Sequence, residues 1–107
     1  MNKDSKLKTY NYYPESLEEL RSLIEELLEE LGPDADLNDI DVSKINNFYN
    51  VYIYEGLFEH LEPRNIKIDQ WNVSNVKNMM RTFYNCDDFN SDLSKWNVSE
   101  VRFILSN

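Results

Sequence analysis

Three nine-residue segments of the chain are written to one template. Residues 37–45 read LNDIDVSKI, residues 68–76 read IDQWNVSNV and residues 93–101 read LSKWNVSEV. Each runs aliphatic, two polar, Trp or Ile, Asn or Asp, Val, Ser, any residue, then Val or Ile. The fourth positions, Ile40, Trp71 and Trp96, lie 31 and then 25 residues apart. A further apolar residue follows three places after each template, at Phe48, Met79 and Ile104. The best-defined unit continues through Phe83, Cys86 and Phe89 before the pattern returns at Leu93. A period of this length with fixed apolar positions restricts the fold, because each copy can bury its apolar face only against its neighbours. Trp-Asn-Val-Ser is β-prone at its apolar positions and predicts one short strand per unit. The apolar steps of three and four in Val76 to Tyr84 predict a short helix or helical turn.

Two elements are expected ahead of the repeats. Leu7 to Tyr13 (LKTYNYY) alternates apolar and polar residues and predicts a short strand stopped at Pro14. Ser16 and Glu19 form an S-x-x-E capping box. Leu17, Leu20, Leu23, Ile24, Leu27, Leu28 and Leu31 then form one apolar stripe of helical period. Gly32 and Pro33 end it, the first by accepting a left-handed conformation and the second by lacking an N–H. The expected fold class is α+β. An N-terminal strand and an amphipathic capping helix pack on a short leucine-rich-repeat-like solenoid of about two and a half units. At 107 residues the chain is one domain, 1–107, with 1–36 holding strand and acidic helix and 37–107 holding the repeats.

The string WNVSNVKNMMRTFYNCDDFNSDLSKWNVSEV resembles the BspA-like leucine-rich-type repeat of bacterial and mycoplasmal surface proteins. Trp71, Val73, Ser74, Val76, Met79, Phe83, Cys86, Phe89, Asn90, Leu93 and Trp96 match that repeat in register. Over residues 37–67 the likeness is looser: Ile40 replaces Trp, and about six residues are inserted around Tyr54 to Arg64. Thr82 stands where the repeat usually carries Met. The resemblance implies a right-handed solenoid-like stack that binds other macromolecules and carries no catalysis. Many such relatives are exported and lipid-anchored. No apolar core follows the N-terminal lysines here, so the expectation is a cytoplasmic protein without the surface-adhesin role.

Charge narrows the partners. Eleven basic and twenty acidic residues give a net charge of −9, which argues against direct nucleic-acid binding. No apolar run is long enough for a membrane span. One Cys and one His cannot build a thiolate–imidazole zinc site. No metal and no cofactor is expected. Asp34 to Asn38 resembles the opening of an EF-hand loop, but Asp39 stands where Gly is needed and Ile45 where Glu is needed. An Asp-rich turn is the better reading. His60 sits between carboxylates in EGLFEHLEP, on what reads as a short exposed helix, with no nucleophile motif beside it. Cys86 occupies a packing position. Met79, Met80 and Phe83 read as core rather than a soft binding patch. The Asn72-Val-Ser74 and Asn97-Val-Ser99 sequons belong to the repeat template. No Gly-rich phosphate loop is present. The chain is not expected to be an enzyme.

Two surfaces remain. Residues 15–41 carry eleven acids against Arg21 alone, so nearly all the charge belongs to one segment. Glu15/Glu19, Glu25/Glu29 and Glu26/Glu30 are like-charge pairs at i,i+4, each unfavourable by roughly 0.2–0.5 kcal/mol, and Glu29 and Glu30 oppose the helix dipole. Stability does not select this placement. Glu18, Glu25, Glu26, Glu29, Glu30, Asp34 and Asp36 are therefore the expected contact set for a basic protein partner, with a solubilising face as the plainer alternative. At the other end Val101, Phe103, Ile104 and Leu105 form an open edge suited to a homodimer. The functional expectation is a non-catalytic protein–protein interaction module. The alternative is a small acidic phage- or mobile-element-encoded inhibitor, of anti-CRISPR or DNA-mimic type, occupying the basic groove of a nucleic-acid-binding enzyme.

Overall fold

A computed structural model describes residues 9–103. Its order of elements is α1 (Leu17–Leu31), β1 (Tyr49–Asn50) and β2 (Glu55–Gly56). The helix spans the expected residues. Ser16 is extended and its hydroxyl accepts from the Glu19 N–H, while Gly32 takes φ 92° and donates to the Leu28 carbonyl. Glu19 completes the cap one residue further out than the box predicts, accepting from the Glu15 N–H at 2.7 Å. Leu20, Ile24 and Leu27 are buried, and Leu17, Leu23 and Leu28 pack at the margin of the same core. Leu31, the last residue of the stripe, is 56% exposed.

The expected strand-built solenoid is not formed. Among the described residues the regular structure is one helix and one two-stranded antiparallel sheet, and the rest is turns and loops. The sheet pairs Tyr49 with Gly56 and Asn50 with Glu55, inside the stretch that interrupts the repeat. The strand predicted at Leu7–Tyr13 reduces to a single bridge, Tyr12 to Ile40. Leu7 and Lys8 lie outside the described residues.

The template itself explains why no strands form. The Asp or Asn in its fifth position turns back on the Ser two residues later. Ser43 N–H donates to Asp41 Oδ1 at 3.0 Å, Ser74 N–H to Asn72 at 3.1 Å and Ser99 N–H to Asn97 at 3.1 Å. These Asx turns satisfy locally the amides that a ladder would use. Four-residue backbone turns flank each one, closed by bonds such as Trp71 N–H to the Ile68 carbonyl and Val76 N–H to the Val73 carbonyl. In the first two copies the apolar template residues are thus buried from corners, not from strands, while in the third Val98 is 43% exposed. The sequons are Asx turns by the same chemistry. Val76–Tyr84, expected as a short helix or helical turn, forms turns and no helix: Asn78 Oδ1 captures the Met80 N–H at 3.0 Å, and Arg81 sits at φ 55°, which no right-handed helix accommodates.

Neighbouring copies still meet in register. Isolated parallel bridges join Asp36 to Lys67, Asn47 to Asn78 and Asn78 to Phe103. Trp71 donates its indole N–H to the Leu37 carbonyl, and Trp96 makes the equivalent bond to Ile68, both at 2.8 Å. The two indoles stack at 6.2 Å with planes 5° apart. Trp71 is buried at 4% exposure, and Phe48 and Phe58 pack on it. Trp96 lies at the edge of the core.

Gly56 shows how closely the inserted stretch is seated. A Cβ at this position would lie 1.8 Å from the Arg81 carbonyl oxygen, so only glycine allows β2 to approach that turn. Trp71→Ala should cost about 3–5 kcal/mol, with a smaller loss for Trp96→Ala. Gly56→Ala should destabilise by overpacking, typically ~1–3 kcal/mol or more where backbone is struck. Urea midpoints for the three variants check this; an unshifted Gly56→Ala would contradict the close approach.

Candidate interaction surface

The hairpin supplies what the repeat template does not. Between β1 and β2 the chain turns through Val51, Tyr52, Ile53 and Tyr54. The turn is set by Asn50 Oδ1, which accepts from the Tyr52 N–H at 3.0 Å, and by Tyr54 at φ 55°. Four consecutive large apolar or aromatic residues are thereby presented to solvent, at 55%, 89%, 59% and 69% exposure respectively. Contiguous apolar exposure of this kind marks interaction surfaces more often than scattered single residues do. The signal is present in the sequence as an unbroken VYIY run at the start of the stretch that interrupts the repeat, where neither helical nor strand periodicity applies.

The base of the hairpin is held by charge. Glu59, expected on an exposed helix, is 2% exposed in a turn after β2. Its carboxylate accepts from Arg81 Nε at 3.0 Å, from the second Arg81 nitrogen at 2.5 Å, and from the Gly56 N–H at 3.0 Å. Burial raises the pKa of such a group, but the Arg81 guanidinium and the Gly56 amide outweigh it and hold Glu59 below its ordinary value. Arg81 also stacks over Tyr84 at 3.8 Å. From the helix, Arg21 donates to the carbonyls of Gly56 (2.9 Å), Leu57 (3.3 Å) and Glu59 (2.8 Å). The lone cation of the acidic segment therefore fastens α1 to the hairpin.

The seven acidic residues expected to act as one surface divide. Asp34 is engaged by Arg64 through two bonds of 2.9 and 2.7 Å and by the Asn65 N–H. Asp36 caps the Asn38 N–H. Glu25 lies 3.7 Å from Arg21. Glu18, Glu26, Glu29 and Glu30 are exposed and form no ion pair among the described residues. At the other end Val101 is partly buried against the core, and Phe103 is 56% exposed while its backbone pairs with Asn78. Ile104 and Leu105 lie outside the described residues.

The remaining candidates are placed as follows. His60 is exposed at φ 70°, with Nε2 3.6 Å from Glu59 and 3.9 Å from Glu55. Cys86 donates to the Phe58 carbonyl, and burial, then Glu59, push its thiol up to about 11. Met79 is core, as expected. Among the described residues no three His, Cys, Asp or Glu side chains converge as metal ligands would. No described helix is long and apolar enough to cross a membrane.

Residues 19–106 match the family model described as Mycoplasma protein of unknown function, DUF285. The chain belongs to this family. DUF285 is related to the BspA-like mycoplasmal repeat proteins, and its match covers the repeats, the inserted hairpin and most of α1. No curated protein and no solved structure is significantly similar to the chain.

The hydrogen bonds from Arg64 and then from the Asn65 amide hold the Asp34 carboxyl at about 2. Because the folded value lies below the unfolded one, this contribution to stability is complete above about pH 4 and is lost as pH falls towards 2. Carboxyl NMR titration should find the Asp34 midpoint near 2 in the parent and back towards the ordinary range in Arg64→Ala. Cys86 should resist alkylation at neutral pH in the folded protein and react once urea unfolds it.

Proposed function

We propose that this DUF285 chain is a non-catalytic protein–protein interaction module whose contact surface is the Val51–Tyr54 hairpin tip together with the adjoining edge of α1. The observation that carries this reading is the exposure of four consecutive apolar residues on a short, firmly anchored turn. Folding gives no account of them, since the core closes beneath through Tyr49, Leu57 and Phe58. A rigid aromatic tip loses little conformational freedom on contact and supplies the side chains that dominate interface energetics. The unpaired carboxylates of Glu18 and Glu26 on the neighbouring helix favour a basic protein as partner.

The acidic-inhibitor reading has less support. A phosphate mimic needs a regular set of free carboxylates, and Asp34 and Asp36 are already engaged within the chain.

A photo-crosslinking residue at position 52, introduced into the full chain expressed in its source cells, should trap a specific partner. Replacing Val51, Tyr52, Ile53 and Tyr54 by Ser should abolish co-purification of that partner and leave the urea midpoint within about 0.5 kcal/mol of the parent, as for other surface changes. Retention of the partner by the four-Ser variant would overturn the reading.

A further inference from the structure

Between α1 and the hairpin lies a groove of about 220 Å³. Leu17, Leu57 and Ile53 supply its apolar lining, and Glu18, Glu25 and Glu55 its carboxylates. Arg21 is the cation within it, and its guanidinium is committed to three backbone carbonyls. It lies 3.7 Å from Glu25 and 3.4 Å from Glu55. His60 approaches Glu55 from the outer side at 3.9 Å. The three lining carboxylates and one guanidinium leave the groove two charges negative.

We infer that this groove docks a basic peptide segment of a partner protein, seating one aliphatic side chain between Leu17, Ile53 and Leu57 while flanking Lys or Arg side chains meet Glu18, Glu25 and Glu55. The inference rests on the interaction-module reading and names the chemistry of the partner. Three features select this occupant. The volume falls below the ~300–1,000 Å³ of pockets that enclose small molecules, and suits one side chain. The net charge selects a cation-bearing segment over an acidic or neutral one. Ile53 belongs both to the groove and to the exposed tip, so the groove is continuous with the apolar surface of the proposed module.

The test titrates the nitrogen-15-labelled full chain with the peptides acetyl-KKLKK, acetyl-KKGKK and acetyl-EELEE. Acetyl-KKLKK should shift the amides of Leu17, Glu18, Ser22, Ile53 and Glu55 saturably. Acetyl-KKGKK should bind about tenfold more weakly, a difference of ~1.4 kcal/mol, and acetyl-EELEE should shift nothing. Glu18→Lys with Glu25→Gln should weaken acetyl-KKLKK by about tenfold, while the matched change Glu29→Lys with Glu30→Gln leaves it unchanged; circular dichroism confirms the helix in both. Equal binding of the Leu and Gly peptides, or shifts centred on Glu29 and Glu30, would overturn the inference by showing diffuse attraction. So would self-association that shifts the groove amides as concentration rises, because a second copy would then be the occupant. A groove that fails these tests while the position-52 crosslink persists refutes the basic-peptide inference alone. Loss of the crosslinked partner's dependence on the tip refutes the module reading.

Discussion

Everything in the hairpin region turns on one buried carboxylate. Glu59 sits almost fully removed from water, and an isolated carboxylate there would be prohibitively costly. It is tolerated because two guanidinium bonds from Arg81 and one backbone amide from Gly56 fill its lone pairs. The same contacts dictate the local geometry. Arg81 adopts a left-handed backbone conformation, its carbonyl presses on Gly56, and the Phe58 N–H reaches the Thr82 carbonyl at 2.9 Å. Arg21 then closes the assembly from the helix side by binding the Glu59 carbonyl. Helix, hairpin and repeat meet at this one residue, at the base of the exposed tip.

What was legible in the sequence was whatever is encoded locally. The helix could be read from Ser16, Glu19, the leucine stripe and Gly32, because caps and periodicity act within a few residues. The equivalence of Trp71 and Trp96 could also be read, since repetition is itself a statement about shared environment; parallel bridges and stacked indoles follow from it. The strands were misjudged because β-propensity of Trp and Val was weighed without the Asn or Asp between them. That side chain offers the backbone a turn, and the turn prevails over the ladder.

The candidate surface was harder to read, for a related reason. Counting carboxylates in residues 15–41 finds an excess but not which of them are free. Asp34 lies 30 residues from Arg64, and nothing in the local pattern announces their pairing. The single Arg in that segment was the informative residue. One cation among eleven acids has abundant nearby partners, yet Arg21 directs its hydrogen bonds to three carbonyls of a distant turn, with Glu25 and Glu55 at longer range. Glu59 was misread for the same cause: adjacent to His60 and near Glu62 it looks like a solvated run, and only the 22-residue separation to Arg81 makes it internal.

The division of labour between anchor and tip bears on how such a surface can vary. Val51 to Tyr54 contribute little to the core, whereas Tyr49, Gly56, Leu57, Phe58 and Glu59 are buried within a few residues of them. A four-residue turn held by two paired positions on each side can exchange its side chains without disturbing the pairs Tyr49–Gly56 and Asn50–Glu55. Stability is thus concentrated in the base, and on the proposed reading contact falls to the tip, as in other loops carried on a rigid frame. Because the frame is already ordered, contact at the tip need not supply the entropy of ordering it, and more of the apolar contact energy is left for binding. On the proposed reading, Glu18 and Glu25 beside that tip would add long-range attraction to short-range contact, the first drawing a basic segment in and the second holding it.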